Sequence, residues 1–291
     1  MKTHYFFIFL FLAAINCSQA QQQAQPGFRV ASYNIRYAAE ADEQSGNGWD
    51  IRKQPLSELI SSHGFDIVGT QEGNTSQLAD LSELLPGYAY LAHPYGGQDG
   101  LLSNCAIFYK AARFDALDSG VFWLSETPDM PSIGWDASDR RICYWTQFRE
   151  KETGKTFFFF NVHFYWRKHI AKEQSGPLLA RKIREIAGSQ PVICTGDFNS
   201  LSETTQIQAV KGLLSDAYEV TQTPRVGVEG TGFPGGVFQG QPGGRIDYIF
   251  VSPHFQVVDY RVLSDTYNGD HYPSDHLPVT SWLSWSTETA H

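Results

Sequence analysis

The chain has 291 residues, of which 42% are hydrophobic, 14% aromatic and 18% charged, with 22 Lys+Arg against 31 Asp+Glu. That composition excludes a disordered chain, which is poor in aromatics and rich in net charge, and an acidic balance argues against a protein that holds nucleic acid through a broad basic face. A single α/β or all-β core can absorb this length, and no internal linker divides it, so one catalytic or binding domain over residues 28–291 is expected.

The first element is a leader. Residues 1–20 carry Lys2, an apolar run from Tyr5 to Ile15, and the small-x-small exit Ser18-Gln19-Ala20, which reads as a signal peptide for a secreted or periplasmic protein. Eleven apolar residues fall well short of the roughly 20 that span a bilayer, and no later run is longer, so no transmembrane helix is expected. Cleavage would remove Lys2 and take the net charge from −9 to −10. In the alternative, Cys17 is the lipid-modified first residue of an anchored form, although Ile15-Asn16 suits that poorly. Residues 21–27 are then a short polar tail.

From Phe28 onward, short β-branched and aromatic runs alternate with turn residues, which is the strand signal. The eleven candidates, in order, are FRVASYNI, FDIVGTQ, YAYLAH, NCAIFYK, VFWLS, ICYWTQF, TFFFFNVHF, PVICTGDF, RIDYIFV, FQVVDYRVL and PVTSWL. Helical spacing occurs at Leu56/Leu59/Ile60 before Gly64, Leu78/Leu81/Leu85 before Gly87, and Leu179/Ile183/Ile186 before Gly188. So few helices cannot supply every crossover of a doubly wound sheet, which predicts two sheets packed face to face with helices outside. Cys105, Cys143 and Cys194 each sit in an apolar run and read as core filling, with no metal-ligand spacing. Eight glycines between 227 and 244 make a surface loop or, in a sharper reading, the lining of a substrate cleft.

Polar residues collect where the strand candidates end. Asn34 closes the first, Glu72 follows the second, His163 ends TFFFFNVHF, Asp197 and Asn199 end VICTGDFN, Asp247 lies in RIDYIFV, and Asp275-His276 precede LPV. Any one of them is explained by turn chemistry, but a sheet delivers all of its strand ends to a rim. Asp197 and Asn199, two apart, project to one side if the chain is extended. Several carboxylates in one place demand a cation, and an oxygen-rich donor set without cysteine suits Mg²⁺ or Mn²⁺.

YNIR, TQEG, NVHF, TGDFNSL, RIDYIF and PSDHLPV, in that order over residues 33–279, resemble the endonuclease/exonuclease/phosphatase superfamily. The resemblance implies a four-layer α/β/β/α sandwich and a metal-dependent phosphoesterase. By that resemblance Glu72 is the main metal ligand with Asn34 and Asp275 nearby. Asp197 orients or deprotonates the attacking water, and Asn199 holds a phosphate oxygen. His276 sits over the scissile phosphate with Asp247 fixing its ring, and His163 contacts the phosphate from the other side. Charge building on the equatorial oxygens of an in-line displacement calls for such donors and a cation.

There are departures. Arg36 follows YNI where abasic-site endonucleases carry an acid, which makes a second metal less expected; Arg36, Arg141 and Trp166 are the candidate substrate-binding residues. Phe164-Tyr165-Trp166 follows NVH; Trp166 stacks on a sugar or base if exposed and is core otherwise, the latter being favoured. Arg140 and Arg141 either reach the phosphate or lie on the surface. The expected partner is a phosphate ester, small or nucleic, and the expected state a monomer. An extracellular nuclease is the alternative within the enzyme class; a catalytically silent binding protein is the alternative outside it, against which stands the presence of Glu72, Asp197 and His276 together.

Overall fold

The computed structural model describes residues 26–96 and 103–287; the leader, Cys17 and most of the polar tail lie outside the described residues. In chain order the elements are β1 (Phe28–Asn34), α1 (Glu40–Gln44), α2 (Trp49–Ser62), β2 (Ile67–Gln71), α3 (Thr75–Leu84), β3 (Tyr88–Pro94), β4 (Asn104–Lys110), β5 (Phe114–Trp123), β6 (Ile142–Glu150) and β7 (Thr156–His163). There follow α4 (His169–Ala187), β8 (Val192–Asp197), α5 (Thr205–Lys211), β9 (Ser215–Asp216), α6 (Ala217–Val220), β10 (Asp247–Val251), β11 (Phe255–Val257), β12 (Arg261–Val262) and β13 (Val279–Trp285).

The strands form two mixed sheets. One has the order β11-β13-β1-β2-β4-β3, with β12 also paired to β13, and the other the order β5-β6-β7-β8-β10-β9. Phe28, Val30, Ile67 and Ile107 of the first sheet meet Phe157, Phe159, Ile193 and Ile249 of the second in the central core. The alternate residues serve the outer layers. Ala31, Tyr33, Val68 and Phe108 pack against Leu56, Leu59 and Ile60 of α2 and Leu78 and Leu81 of α3. Phe158, Phe160, Val162 and Cys194 pack against Leu178, Leu179 and Ile183 of α4 and Ile207 and Val210 of α5. Strands buried on both faces explain why TFFFFNV is a continuous apolar run and not an alternating one. The result is the expected four-layer sandwich.

Beneath the rim that will carry the site, the sheets approach closely. A Cβ on Gly69 would collide with Thr195 and Asn161 of the opposite sheet, and the gap is bridged by amides. Gln71 Nε2 donates to Asn161 Oδ1 at 2.6 Å, while Asn161 Nδ2 donates to the carbonyls of Thr70 and Ala106 at 2.8 and 2.9 Å. All three free cysteines among the described residues, Cys105, Cys143 and Cys194, are buried, as expected. No helix of the described residues is long and apolar enough to cross a membrane.

Six helices are present among the described residues where the periodicity predicts three; α1, α5 and α6, of 5, 7 and 4 residues, are too short to show a period. Pro55 and Pro177 lie inside α2 and α4, and the turns before them bury Trp49 and Arg52 in α2 and Ala171, Ser175 and Gly176 in α4, too few apolar residues to show the helical period, so those N-terminal turns are not legible. The glycines past α2, α3 and α4 do adopt positive φ, at 66°, 90° and 57° for Gly64, Gly87 and Gly188.

Candidate active site

Register places the polar residues side by side. β1 and β2 are parallel with Asn34 opposite Gln71, and β7 and β8 are parallel with His163 opposite Asp197, so four strands end at the same rim. β10 and β13 run antiparallel to β8 and β1 and therefore begin there, with Asp247 opposite Asp197 and Asp275-His276 just ahead of β13. Asn34, Glu72, His163, Asp197, Asn199, Asp247, Asp275 and His276 thus converge, as the sequence predicts.

The chain leaves these strands sharply. Arg36, Glu72 and Asn199 have φ of 55°, 71° and 48°, a left-handed conformation in which non-glycine residues are uncommon and which collects at functional turns. Two of the turns are closed identically: the Arg36 N–H donates to Asn34 Oδ1 at 3.0 Å, and the Asn199 N–H to Asp197 Oδ1 at 2.8 Å. Asp197 and Asn199 therefore do not share a side as residues of an extended strand; the turn, not the pleat, brings both into the cleft. Arg52 and Ser274 fix the neighbouring loops. The buried Arg52 guanidinium donates to the carbonyls of Ile35 and Pro273 at 3.0 and 2.9 Å, and Ser274 Oγ to that of Asn34 at 2.7 Å.

The side chains form one connected network. Asn34 Nδ2 spans Glu72 Oε1 at 3.1 Å and Asp197 Oδ2 at 3.0 Å. His276 Nδ1 pairs with Asp247 Oδ2 at 2.9 Å, and its Nε2 lies 3.8 Å from Asp197 Oδ2. Tyr95 Oη lies 2.8 Å from His163 Nδ1, and Asn199 Nδ2 lies 3.1 Å from His163 Nε2 and from the Phe164 carbonyl. The carbonyl must face an N–H, so the Asn199 amide donates to Nε2 as well, and the ring proton sits on Nδ1 bonded to Tyr95.

Burial sets the charges. It pushes the Asp197 carboxyl up to about 7, with Asp247 adding to the rise and His276 opposing it. Burial works against the His276 imidazolium, yet the Asp247 and Asp197 carboxylates beside it hold its pKa well above the ordinary value. His163 is driven well below by burial, helped by the charges of Arg141 and His276, and is neutral. Asp275 is raised by burial and by Glu72, against the pull of His276 and Arg36.

Glu72, His163, Asp197, Asn199, Asp275 and His276 line a cavity of about 620 Å³ together with Arg36, Arg141, Trp166, Leu201 and the glycine-rich loop, whereas Asn34 and Asp247 are fully buried behind it. Trp166 is 50% exposed at its mouth, which corrects the expectation of a core residue; Phe164 and Tyr165 are the buried members of that run. Arg141 lines the cavity, whereas Arg140 turns to the Gly96 carbonyl. The glycine loop lines the cleft and is not merely surface: a Cβ on Gly236, at φ 68°, would sit 3.3 Å from Asp275 Oδ2. Sequence reasoning missed Tyr95, Arg52, Gln71, Asn161 and Ser274. The last three stand inside the motifs beside residues that it did select; Tyr95 and Arg52 lie in no motif.

Glu72, Asp275 and Asp197 bring three carboxylates to one wall, and burial already strains Asp197 and Asp275 toward protonation. An oxygen-only donor set of this kind fits a hard divalent cation. Asp197, Asp247 and His276 also offer ligand atoms within 4.8 Å of one another, but His276 is held protonated by the carboxylates beside it and has no lone pair for an ion, so Glu72 and Asp275 are the better pair.

Residues 31–276 match the profile described as the Endonuclease/Exonuclease/phosphatase family. The chain belongs to this family. A Bacteroides thetaiotaomicron mannosyl-6-phosphatase is 41% identical, over 88% of this chain and 99% of that one, with a TM-score of 0.83. A Bacteroides vulgatus endonuclease/exonuclease/phosphatase is 33% identical over 89% and 99%, with a TM-score of 0.80. An uncharacterized protein of Acanthamoeba polyphaga mimivirus, L388, is 26% identical over 86% of this chain and 98% of its own length. Like its family, the protein is a hydrolase acting on phosphate ester bonds.

Proposed function

We propose that this endonuclease/exonuclease/phosphatase family member is a divalent-metal-dependent phosphoesterase that hydrolyses a phosphorylated sugar, as a monomer, outside the cytoplasm. The observation that carries the reading is the meeting of Glu72, Asp275, Asp197, His163 and His276, the last backed by the buried Asp247, in one cavity of about 620 Å³ built from a single chain. That volume suits a small phosphate ester. The identity of 41% with a mannosyl-6-phosphatase supports a sugar phosphate, and the leader-like residues 1–20 support export.

Bound Mg²⁺ or Mn²⁺, held by Glu72 and Asp275, would draw charge from the phosphate oxygens and lower the cost of attack. Asp197, poised near neutrality, takes the proton of the attacking water. His276, kept protonated by Asp247, donates to the phosphate or the leaving oxygen. His163 and Asn199 shape the far wall: His163 bonds Tyr95 through Nδ1 and Asn199 through Nε2, and the other Asn199 N–H goes to the Phe164 carbonyl, so neither has the free N–H for the phosphate that the resemblance implies. The nuclease alternative is disfavoured by a net charge of −9 and by a cavity that, among the described residues, two arginines line.

The test is hydrolysis of mannose 6-phosphate, p-nitrophenyl phosphate, plasmid DNA and RNA with Mg²⁺ or Mn²⁺ and with chelator. Turnover of the sugar phosphate that the chelator abolishes is expected. Turnover of the nucleic acids alone would transfer the protein to the nucleases.

A further inference from the structure

The two arginines of the cavity differ in what already holds them. Arg36 is spent: its Nε and Nη2 donate to Asp42 at 2.9 and 3.2 Å, and its Nη1 lies 3.4 Å from Asp275. Arg141 has no carboxylate partner among the described residues. Its Nη1 donates to the Arg140 carbonyl at 3.1 Å, and its Nε is buried with no hydrogen-bond partner. Its guanidinium sits 5.5 Å from the ring centres of both Tyr95 and Tyr165, flanked by aromatic carbon that leaves its charge unneutralised.

Arg141 is half-buried, and a cation so placed, with a buried Nε that finds no partner, is destabilising unless an anion pairs with its guanidinium. Here the pairing group must come from the cavity, and it must be an anion. The remaining positive groups have other tasks: His276 is paired with Asp247, and a divalent ion at Glu72 and Asp275 would be balanced by carboxylate. Arg141 is therefore charge left over for the substrate. A phosphate diester carries one negative charge, whereas a monoester carries a second one above a pKa of about 6. In a diester the oxygen that would carry that second charge bears another carbon arm instead, so it is uncharged, a weak acceptor, and crowded against a guanidinium. Planar, forked donors match two oxygens of a terminal phosphate.

We infer that Arg141 selects phosphate monoesters over diesters by pairing with the terminal dianion. The inference rests on the proposed phosphoesterase reading and sharpens it to the class of ester cleaved. Tyr95 ties the selection to the chemistry, because the same residue whose ring supports the guanidinium also bonds His163 through its hydroxyl.

The experiment compares p-nitrophenyl phosphate with methyl p-nitrophenyl phosphate, which share a leaving group, on the full chain with Mg²⁺ at pH 7. Wild type should prefer the monoester. Arg141→Met should lower the monoester-to-diester ratio of kcat/KM by about 30-fold, and Arg141→Lys, which restores a charge without the fork, should recover part of it. If the methionine variant does not fold, Arg141→Gln replaces it. A ratio that stays constant in the variants, whether both activities fall or neither does, overturns the role of Arg141 while leaving the phosphoesterase intact. Absence of wild-type turnover on either ester with Mg²⁺ or Mn²⁺ overturns the phosphoesterase reading and this inference with it.

Discussion

The two rims of the sandwich carry similar numbers of buried acids and treat them in opposite ways. At the rim where β1, β2 and β7 begin, Asp66 accepts from the Arg29 N–H and pairs with Lys110 and Arg113 at 3.0 and 2.9 Å, while Glu150 accepts from Arg113, Thr153 and Trp285. Nearby, burial would raise the Asp259 carboxyl, but hydrogen bonds from Arg29, the Trp282 N–H and Arg261 prevail and hold it below its ordinary value. At the rim where the same strands end, Asp197 and Asp275 are raised, first by burial and then by a neighbouring acid each, Asp247 and Glu72, and the cations nearby do not bring them back down. Acids that are matched by fixed cations hold the fold together. Acids left unmatched in a cavity are the ones available to a metal and a substrate.

The sharpest way to break this contrast is to remove one group from each rim. His276→Ala should cost 10²- to 10⁴-fold in kcat, about the value of a positioned proton donor, with melting temperature little changed. Asp66→Asn should do the reverse, destabilising by about 2 kcal/mol in urea unfolding because Lys110 loses its carboxylate and Arg113 one of its two, with kcat per folded molecule retained. A kcat collapse in Asp66→Asn, or full activity in His276→Ala, would show that the rims are not divided in this way.

This division is partly written in the sequence. Asn34, Glu72, His163, Asp197, Asp247 and His276 are legible because each sits at a strand end within a local motif, and the parallel and antiparallel registers bring strand ends together. Tyr95 and Arg52 are not legible, since their partners, His163 and the Pro273 carbonyl, lie 68 and 221 residues away and no local pattern marks them. Trp166 was the harder case: after two aromatics that are buried, only the end of β7 at His163 and the turn beyond it decide that the third faces solvent. The turns of α2 and α4 before their prolines bury too few apolar residues to show a period, and tertiary packing stabilises helix there despite the prolines.

Metal should act on the cleft rim alone. At a hundredfold excess over its dissociation constant, Mg²⁺ should stabilise the folded chain by about 2.7 kcal/mol, a rise of roughly 5–10 °C in a thermal melt. Asp275→Asn should blunt the rise, whereas Asp66→Asn should leave it intact on a lower baseline. No shift with either Mg²⁺ or Mn²⁺ would remove the cation from the account of the raised acids.

The next effect is one of pH. Activity requires Asp197 ionised, so it rises as pH climbs through that pKa, and His276 protonated, so it falls as pH passes that higher pKa. The charge of Asp247 raises both values. Asp247→Asn should therefore displace both limbs of the kcat/KM profile toward acid by about one unit. A shift of the alkaline limb alone would mean that Asp247 acts only on His276, and no shift would mean that Asp247 serves packing.

The smallest effect belongs to Tyr95, which touches both His163 and Arg141 by different parts of one side chain. Tyr95→Phe keeps the ring under the Arg141 guanidinium and removes the oxygen that accepts the His163 Nδ1 proton and, at 3.3 Å, the Glu72 N–H. Two donors at the cleft rim then lose a partner, a loss of about 1 kcal/mol or more in stability. The His163 ring is also free to move its proton to Nε2, where the Asn199 amide opposes it. We expect kcat to fall about fivefold with KM nearly unchanged and the monoester preference retained. Loss of that preference in the phenylalanine variant would place the hydroxyl, and not the ring, in charge of Arg141, and the separation between the two halves of Tyr95 would fail.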